Sequence, residues 1–309
     1  MKRILAFIAA VLLLPLVVLP AGQDVRPTVG AIRWDGWYGD GSVVKAMESS
    51  LGQWKYHFRL PSFARVISED KVSINGDSQA VVEHFRQPDC QTVMAGRPLL
   101  FVFVKTTKLG KSEWDELKRQ TTKAGMKAPY LVLMGWNPEE DAKAMAALGF
   151  DAISACARGG SYRMTQPGYA EPCALIRRER WEKCRALRLP SVTFASAGWD
   201  TRPRNERLPP WVTGLTATPD KTPPAQQKPL IDSVTATPDE LAAHIRKAVD
   251  WTKANRDLNP TSASIIYGWN EPDEGGWLQP TLGADDRPNE DRAKALGKVL
   301  RPSSPEKLP

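Results

Sequence analysis

Histidine is scarce in this chain: three in 309 residues, His57, His84 and His244. They stand far apart with no HExxH-like spacing, which excludes a histidine-built zinc site, and no metal or cofactor is expected. No GxGxxG or GxxxxGK[ST] loop is present, so the simplest nucleotide-binding readings fall away. Basic residues exceed acidic ones only mildly, 42 Lys plus Arg against 35 Asp plus Glu, and the two signs are interspersed. A nucleic-acid binder carries a basic stripe; none is visible, and no nucleic-acid partner is expected. The four cysteines, Cys90, Cys156, Cys173 and Cys184, allow three connectivities. Cys173 and Cys184 fall about three turns apart on one predicted helix, too far to bridge. Incidental thiols explain the set as well as pairing does, and no disulfide framework is expected.

Long apolar runs are also missing, except at the start. Met1-Lys2-Arg3 and the run from Ile4 to Ala21 read as the basic and apolar regions of a secretory signal, with Ala21 and Gly22 at the cleavage site. The rival reading is a retained anchor, since about 18 apolar residues just span a bilayer. No basic stop-transfer cluster follows, which favours cleavage. The expected mature protein is exported, periplasmic or extracellular, with no integral membrane span. It begins at residue 23, and 302–309 form a flexible tail.

What is present is an alternation. Strand-length apolar runs occur at Val29–Trp34, Pro98–Val104, Tyr130–Met134, Phe150–Ser154, Ser191–Ala195 and Ala263–Tyr267. Nearly continuous apolar runs of this length suit parallel strands covered on both faces. Helix starts lie between them: Ser112 with an acid three residues on, Asn137-Pro138 with Gly149 after the end, and Thr237-Pro238. After the last of these, Leu241, Ile245, Ala248, Val249 and Thr252 mark one helical face. A further helix is expected from about Glu171 to Leu187, and another over 80–94.

Alternating strands and helices predict a parallel sheet, open or closed. The first strand ends in the aromatic and acidic turn Trp34-Asp35-Gly36-Trp37-Tyr38 rather than a glycine-rich phosphate turn. The expectation is therefore a (β/α)8 TIM-type barrel over residues 23–301, with reactive groups after the strand ends. Six strand runs fall short of eight. Either one or two more hide in residues 54–67, or the barrel is incomplete. Residues 202–238 hold eight prolines and two copies of Thr-Ala-Thr-Pro-Asp; the segment is a surface linker or a loop covering the cleft.

Seven of the eleven tryptophans follow predicted strand ends: Trp34, Trp37, Trp136, Trp199, Trp211, Trp269 and Trp277. Trp114, Trp181 and Trp251 read instead as core. Indole faces suit sugar rings, and an aromatic, partly polar cleft is a usual ligand site. Asp35, Asn137, Asp200 and Asn270-Glu271-Pro272-Asp273-Glu274 share that location. Glycosidic cleavage needs two carboxyl groups, one protonated and one ionised, and crowding raises the pKa of one of them. The plain alternative is an acidic turn, with or without calcium.

The stretch Tyr267-Gly-Trp-Asn-Glu-Pro-Asp-Glu-Gly-Gly-Trp277 resembles the Trp-Asn-Glu-x-x-Glu-Gly signature of the glycoside hydrolase family 99-like group. That group includes glycosyltransferase-like domains of polysaccharide clusters. The Trp-x-x-Trp-Tyr turn after the first strand resembles it too, as does the segment from Val82-Glu-His-Phe to Gly96-Arg-Pro-Leu-Leu-Phe. The resemblance implies a barrel acting on glycans. Glu271 would take the proton of a sugar 2-hydroxyl, Glu274 would act as general acid and then base, and the outcome would be retention. Trp34, Asp35, Trp37, Tyr38, Trp136, Asn137, Trp199, Asp200, Trp269, Asn270 and Trp277 are the expected substrate contacts. Pro272 and Asp273 depart from the signature's usual residues. A strand–helix unit of the family is absent near Ser78-Gln-Ala-Val-Val. The expected function is glycan hydrolysis; the alternative is a non-catalytic carbohydrate-binding or scaffold protein built on such a barrel.

Overall fold

Among the described residues, seven runs pair as parallel strands in the computed structural model of the protein. They are β1 (Thr28–Ala31), β2 (Val66–Ser68), β3 (Arg97–Phe103), β4 (Tyr130–Gly135), β5 (Ala152–Ala155), β6 (Thr193–Ser196) and β7 (Ala263–Tyr267). The structure describes residues 27–31, 66–68, 74–88, 90–103, 109–155, 168–200, 233–271, 275–282 and 287–300. The signal segment, the 54–65 part of the hidden-strand window, the proline-rich segment between 201 and 232 and the tail lie outside them. So does Cys156; Cys173 and Cys184 are free thiols.

One sheet runs β2-β3-β4-β5, with Thr92–Val93 added antiparallel to β3. The other runs β1-β7-β6. A parallel bridge between Ile153 and Ser191 joins the two edges. There the Ile153 amide donates to Pro190 O at 3.0 Å and the Val192 amide to Ile153 O at 2.9 Å. Neighbours therefore follow chain order from β2 to β7. β1 lies beside β7, with Thr28 opposite Ala263 and Ala31 opposite Ile266. The fold is mixed α/β with parallel and mixed sheets, and among the described residues no pairing joins β1 to β2. β2 is the strand that the hidden-strand window partly contained.

The helices are α1 (Ile74–Phe85), α2 (Lys111–Lys123), α3 (Pro138–Leu148), α4 (Ala170–Ile176), α5 (Lys183–Ala186), α6 (Pro238–Ala254) and α7 (Asp291–Leu300). A π-helical stretch, Arg177–Glu182, makes α4 and α5 one continuous rod. Its wider turn lets two successive side chains, Arg180 and Trp181, both point inward and be buried. Asn137 and Thr237 cap α3 and α6 as expected, Thr237 in a full capping box with Glu240. Two expectations need correction. α2 starts after Gly110 without a side-chain cap, because the Ser112 hydroxyl bonds Glu113 instead. The helix expected over 80–94 lies at Ile74–Phe85; a turn and the Thr92–Val93 strand follow it.

Period-two alternation gives the first sheet two buried faces. Leu99, Phe101, Tyr130, Val132 and Met134 share a buried cluster with Phe194, Ile265 and Tyr267 of the second sheet. Leu100, Val102, Leu131 and Leu133 face the other way, against Val81, Val82 and Phe85 of α1 and Trp114 and Leu117 of α2. Each such side chain contributes about 1.5–3 kcal/mol on full burial. At the N-terminal ends of the strands Arg97 ties the sheet together. Its guanidinium bonds both carboxylate oxygens of Asp151 at 2.9 Å, and Asp151 also accepts the Leu131 amide. The opposite, C-terminal ends are left for the site.

Candidate functional site

The chain leaves β7 through Gly268, whose φ of 86° suits glycine. A Cβ there would lie 2.8 Å from the carbonyl carbon of Gly276, and one on Gly276 would lie 2.9 Å from Cε1 of Tyr267. Two glycines thus let a hairpin cross β7 at backbone contact. Asn270–Glu271 pairs antiparallel with Gly276–Trp277, Glu271 opposite Gly276. The carbonyl of Trp269 accepts the amides of Leu278 at 3.0 Å and Gln279 at 3.2 Å, which fastens the returning strand. Glu271 is 8% exposed on this hairpin.

β6 ends beside it. The peptide groups of Ser196 are held from two helices: the Tyr169 hydroxyl donates to the Ser196 carbonyl, and the Ser196 amide donates to Nε2 of His244 at 3.4 Å. His244 stacks on Trp181, the rings 5.8 Å apart and 9° from parallel, and burial pushes its pKa down to about 4. Gly198–Asp200 then pairs antiparallel with Ser233–Thr235. This stem sets Asp200 opposite Ser233 at the site. The Trp199 ring lies 5.7 Å from that of Tyr267.

Arg292 of α7 clamps these pieces. One terminal nitrogen donates to Trp277 O at 2.8 Å and Ala197 O at 3.3 Å; the other donates to Ala236 O at 2.5 Å. The guanidinium carbon lies 3.7 Å from the Trp277 ring centroid, a cation–π contact. Burial pulls the Arg292 pKa down to about 10.

The end of β4 is built on charge. Arg180 donates to Asp141 at 2.8 Å and to the Gly135 carbonyl at 2.5 Å, and Asp141 also accepts the Trp136 amide at 3.2 Å. Burial raises the Asp141 carboxyl above its ordinary range, with Arg180 pulling the other way. A Cβ on Gly135 would lie 1.9 Å from Asp141 Oδ1, so the pair needs glycine there.

The structure therefore groups Trp199, Trp269, Glu271 and Trp277, together with the backbone of Asp200 and Asn270, at the ends of β6 and β7. Trp199 and Trp269 are half-buried against the core. Trp277 has one face under Arg292 and offers at most the other. Trp136 and Asn137 stand at β4, with β5 between. Trp136 is 40% exposed and meets Phe103 edge-on at 5.8 Å. The amide oxygen of Asn137 accepts the Glu139 and Glu140 amides as the cap of α3. Trp34, Asp35, Trp37, Tyr38, Trp211 and Glu274 lie outside the described residues. Tyr169, His244 and Arg292 escaped the sequence reading. Each acts on backbone groups far along the chain, which leaves no local motif.

Chemically, the arrangement offers a desolvated carboxylate at the end of the last core strand, with aromatic side chains before and beside it. Among the described residues no cluster of three His, Cys, Asp or Glu side chains could hold a metal ion. No helix among them is long and apolar enough to cross a membrane. No family model matches the chain, and no curated protein matches it significantly.

Proposed function

We propose that the protein is an exported glycoside hydrolase built on a (β/α)8-type barrel, with Glu271 and Glu274 as its acid–base pair. The observation that carries this reading is the position of Glu271: buried, on a glycine-closed hairpin, directly after the strand that lies beside the first one. Barrel enzymes place reactive groups after strand ends. The barrel reading draws further support from strands that neighbour in chain order and from the β1–β7 pairing.

In this reading Glu271 removes the proton of the sugar 2-hydroxyl. The freed oxygen attacks the anomeric carbon, the glycosidic bond breaks, and Glu274 protonates the leaving oxygen. Water then opens the resulting 1,2-anhydro ring, giving its proton to Glu274, while Glu271 returns a proton to the 2-oxygen. Two inversions leave the anomeric configuration retained. Trp199 and Trp269 supply aromatic surface for the sugar.

A screen of the purified chain against α- and β-linked mannans, glucans and galactans tests the reading. Product should form with retained configuration, and Glu271→Gln should lower the rate by about 10²–10⁴. Full activity in Glu271→Gln refutes the assignment. Binding without product is the result expected of a carbohydrate-binding scaffold instead.

A further inference from the structure

A cavity lies away from the hairpin that follows β7, on the outer surface between α4 and α6. Its volume is about 310 Å³, and Tyr169, Cys173, Trp181, Glu240, His244 and Lys247 are among its lining residues. Arg177 and three alanines complete it. The sequence opens this space. On α6, Glu240, Ala243, His244 and Lys247 follow each other at helical spacing and share one face. Facing them, Ala170, Cys173, Ala174 and Arg177 present short side chains below a single long one. Small residues leave a trough, and the Trp181–His244 stack closes its floor. Such a volume sits at the lower end of small-molecule sites.

Two features give the trough a chemical preference. The first is unpaired positive charge. On the rod from α4 to α5 the other basic side chains find acids: Arg178 with Glu179, Arg180 with Asp141, Lys183 with Glu139, Arg185 with Glu182, and Arg188, just beyond it, with Asp257. Arg177 has no acidic partner among the described residues, nor has Lys247 across the trough. The acid at the rim, Glu240, is engaged by the amide and hydroxyl of Thr237. The second feature is His244, 4% exposed. Its Nε2 accepts the Ser196 amide, so the proton of the neutral ring is on Nδ1. That N–H has no protein acceptor among the described residues, and His244 lines the trough, so the donor is open to an acceptor that enters it. The ring stays neutral near pH 7, because burial holds its pKa near 4. Cys173 adds no nucleophile, since burial pushes its thiol up to about 12.

We propose that this trough is a binding site for a small organic carboxylate. The carboxylate lies between Arg177 and Lys247 and accepts from Nδ1 of His244, while its carbon body lies against Ala170, Ala174 and Ala243. The site is separate from Glu271 and holds whether or not the protein cleaves glycans.

Calorimetric titration of the full chain with benzoate and glucuronate tests this, with benzyl alcohol and methyl glucoside as uncharged controls. At least one carboxylate should bind at millimolar or lower concentration, and at least tenfold more tightly than its control. Lys247→Ala and Arg177→Ala, both at exposed positions, should each weaken it several-fold. Ala174→Trp should fill the trough and abolish binding while thermal stability is kept. Equal binding of acids and controls, no binding of either acid, or unchanged affinity in Ala174→Trp would each overturn the proposal.

Discussion

At the end of β4 the chain solves its polar problem with a buried ion pair; at the ends of β6 and β7 it uses hydroxyl, imidazole and guanidinium groups on backbone atoms. The first arrangement consumes a carboxylate, Asp141, in holding Arg180 and the Trp136 amide. The second is built on backbone carbonyls, which Arg292 holds together. Both regions carry a tryptophan and an acid after a strand. At β4 that acid is spent on a buried arginine, so position after a strand end does not by itself mark an acid as reactive.

Breaking the charged arrangement should have the largest effect. Asp141→Ala leaves Arg180 buried without its counter-charge and is expected to lower the unfolding free energy by about 3–5 kcal/mol. Urea denaturation measures it, and a loss below about 1 kcal/mol would show that other contacts hold the β4 end. The clamped region should instead reveal itself through pH. His244 has a folded pKa near 4 against an ordinary 6.5. Between those values the unfolded chain binds the proton and the folded chain does not. Stability is therefore full above about pH 6.5 and falls as pH drops toward 4, by up to about 3 kcal/mol. Unfolding curves of the parent and His244→Phe, compared from pH 7 to 4.5, should differ in slope; parallel curves would remove the imidazole from the account. The smallest effect sharpens the comparison on the β4 side. Asn137→Ala should cost about 1 kcal/mol through the lost cap and leave glycan binding unchanged. A tenfold loss of binding would return Asn137 to the site.

Much of the scaffold was legible because its signals are local. The runs at 98–104, 130–134 and 263–267 are apolar on both faces, and the structure buries residues 98–102, 130–134 and 263–267. The Asn137-Pro138 and Thr237-Pro238 starts carry their own caps. The strand at Val66–Ser68 was harder to see: three residues are too short for a period, and it is recognised by pairing with Phe101–Phe103. Ser112 misled because its hydroxyl had a nearer partner in Glu113. At the site, the hairpin motif was visible, since glycines and an acid stand together in sequence. The guanidinium over Trp277 was not, because a cation–π contact depends on what the ring meets. His244 was read only as one of too few histidines, and its contact with Ser196 spans 48 positions of the chain.

The clamp at Arg292 has a further consequence, in ionic strength. Mobile ions weaken attraction between exposed opposite charges beyond a Debye length of about 8 Å at physiological salt. The surface pairs on α2, such as Lys111 with Asp115, are open to that screening. Arg292 engages three carbonyl dipoles and an indole face inside the protein, with no carboxylate among the described residues to be screened. The hairpin that bears Glu271 is therefore fastened in a way that dilute and concentrated salt leave alike.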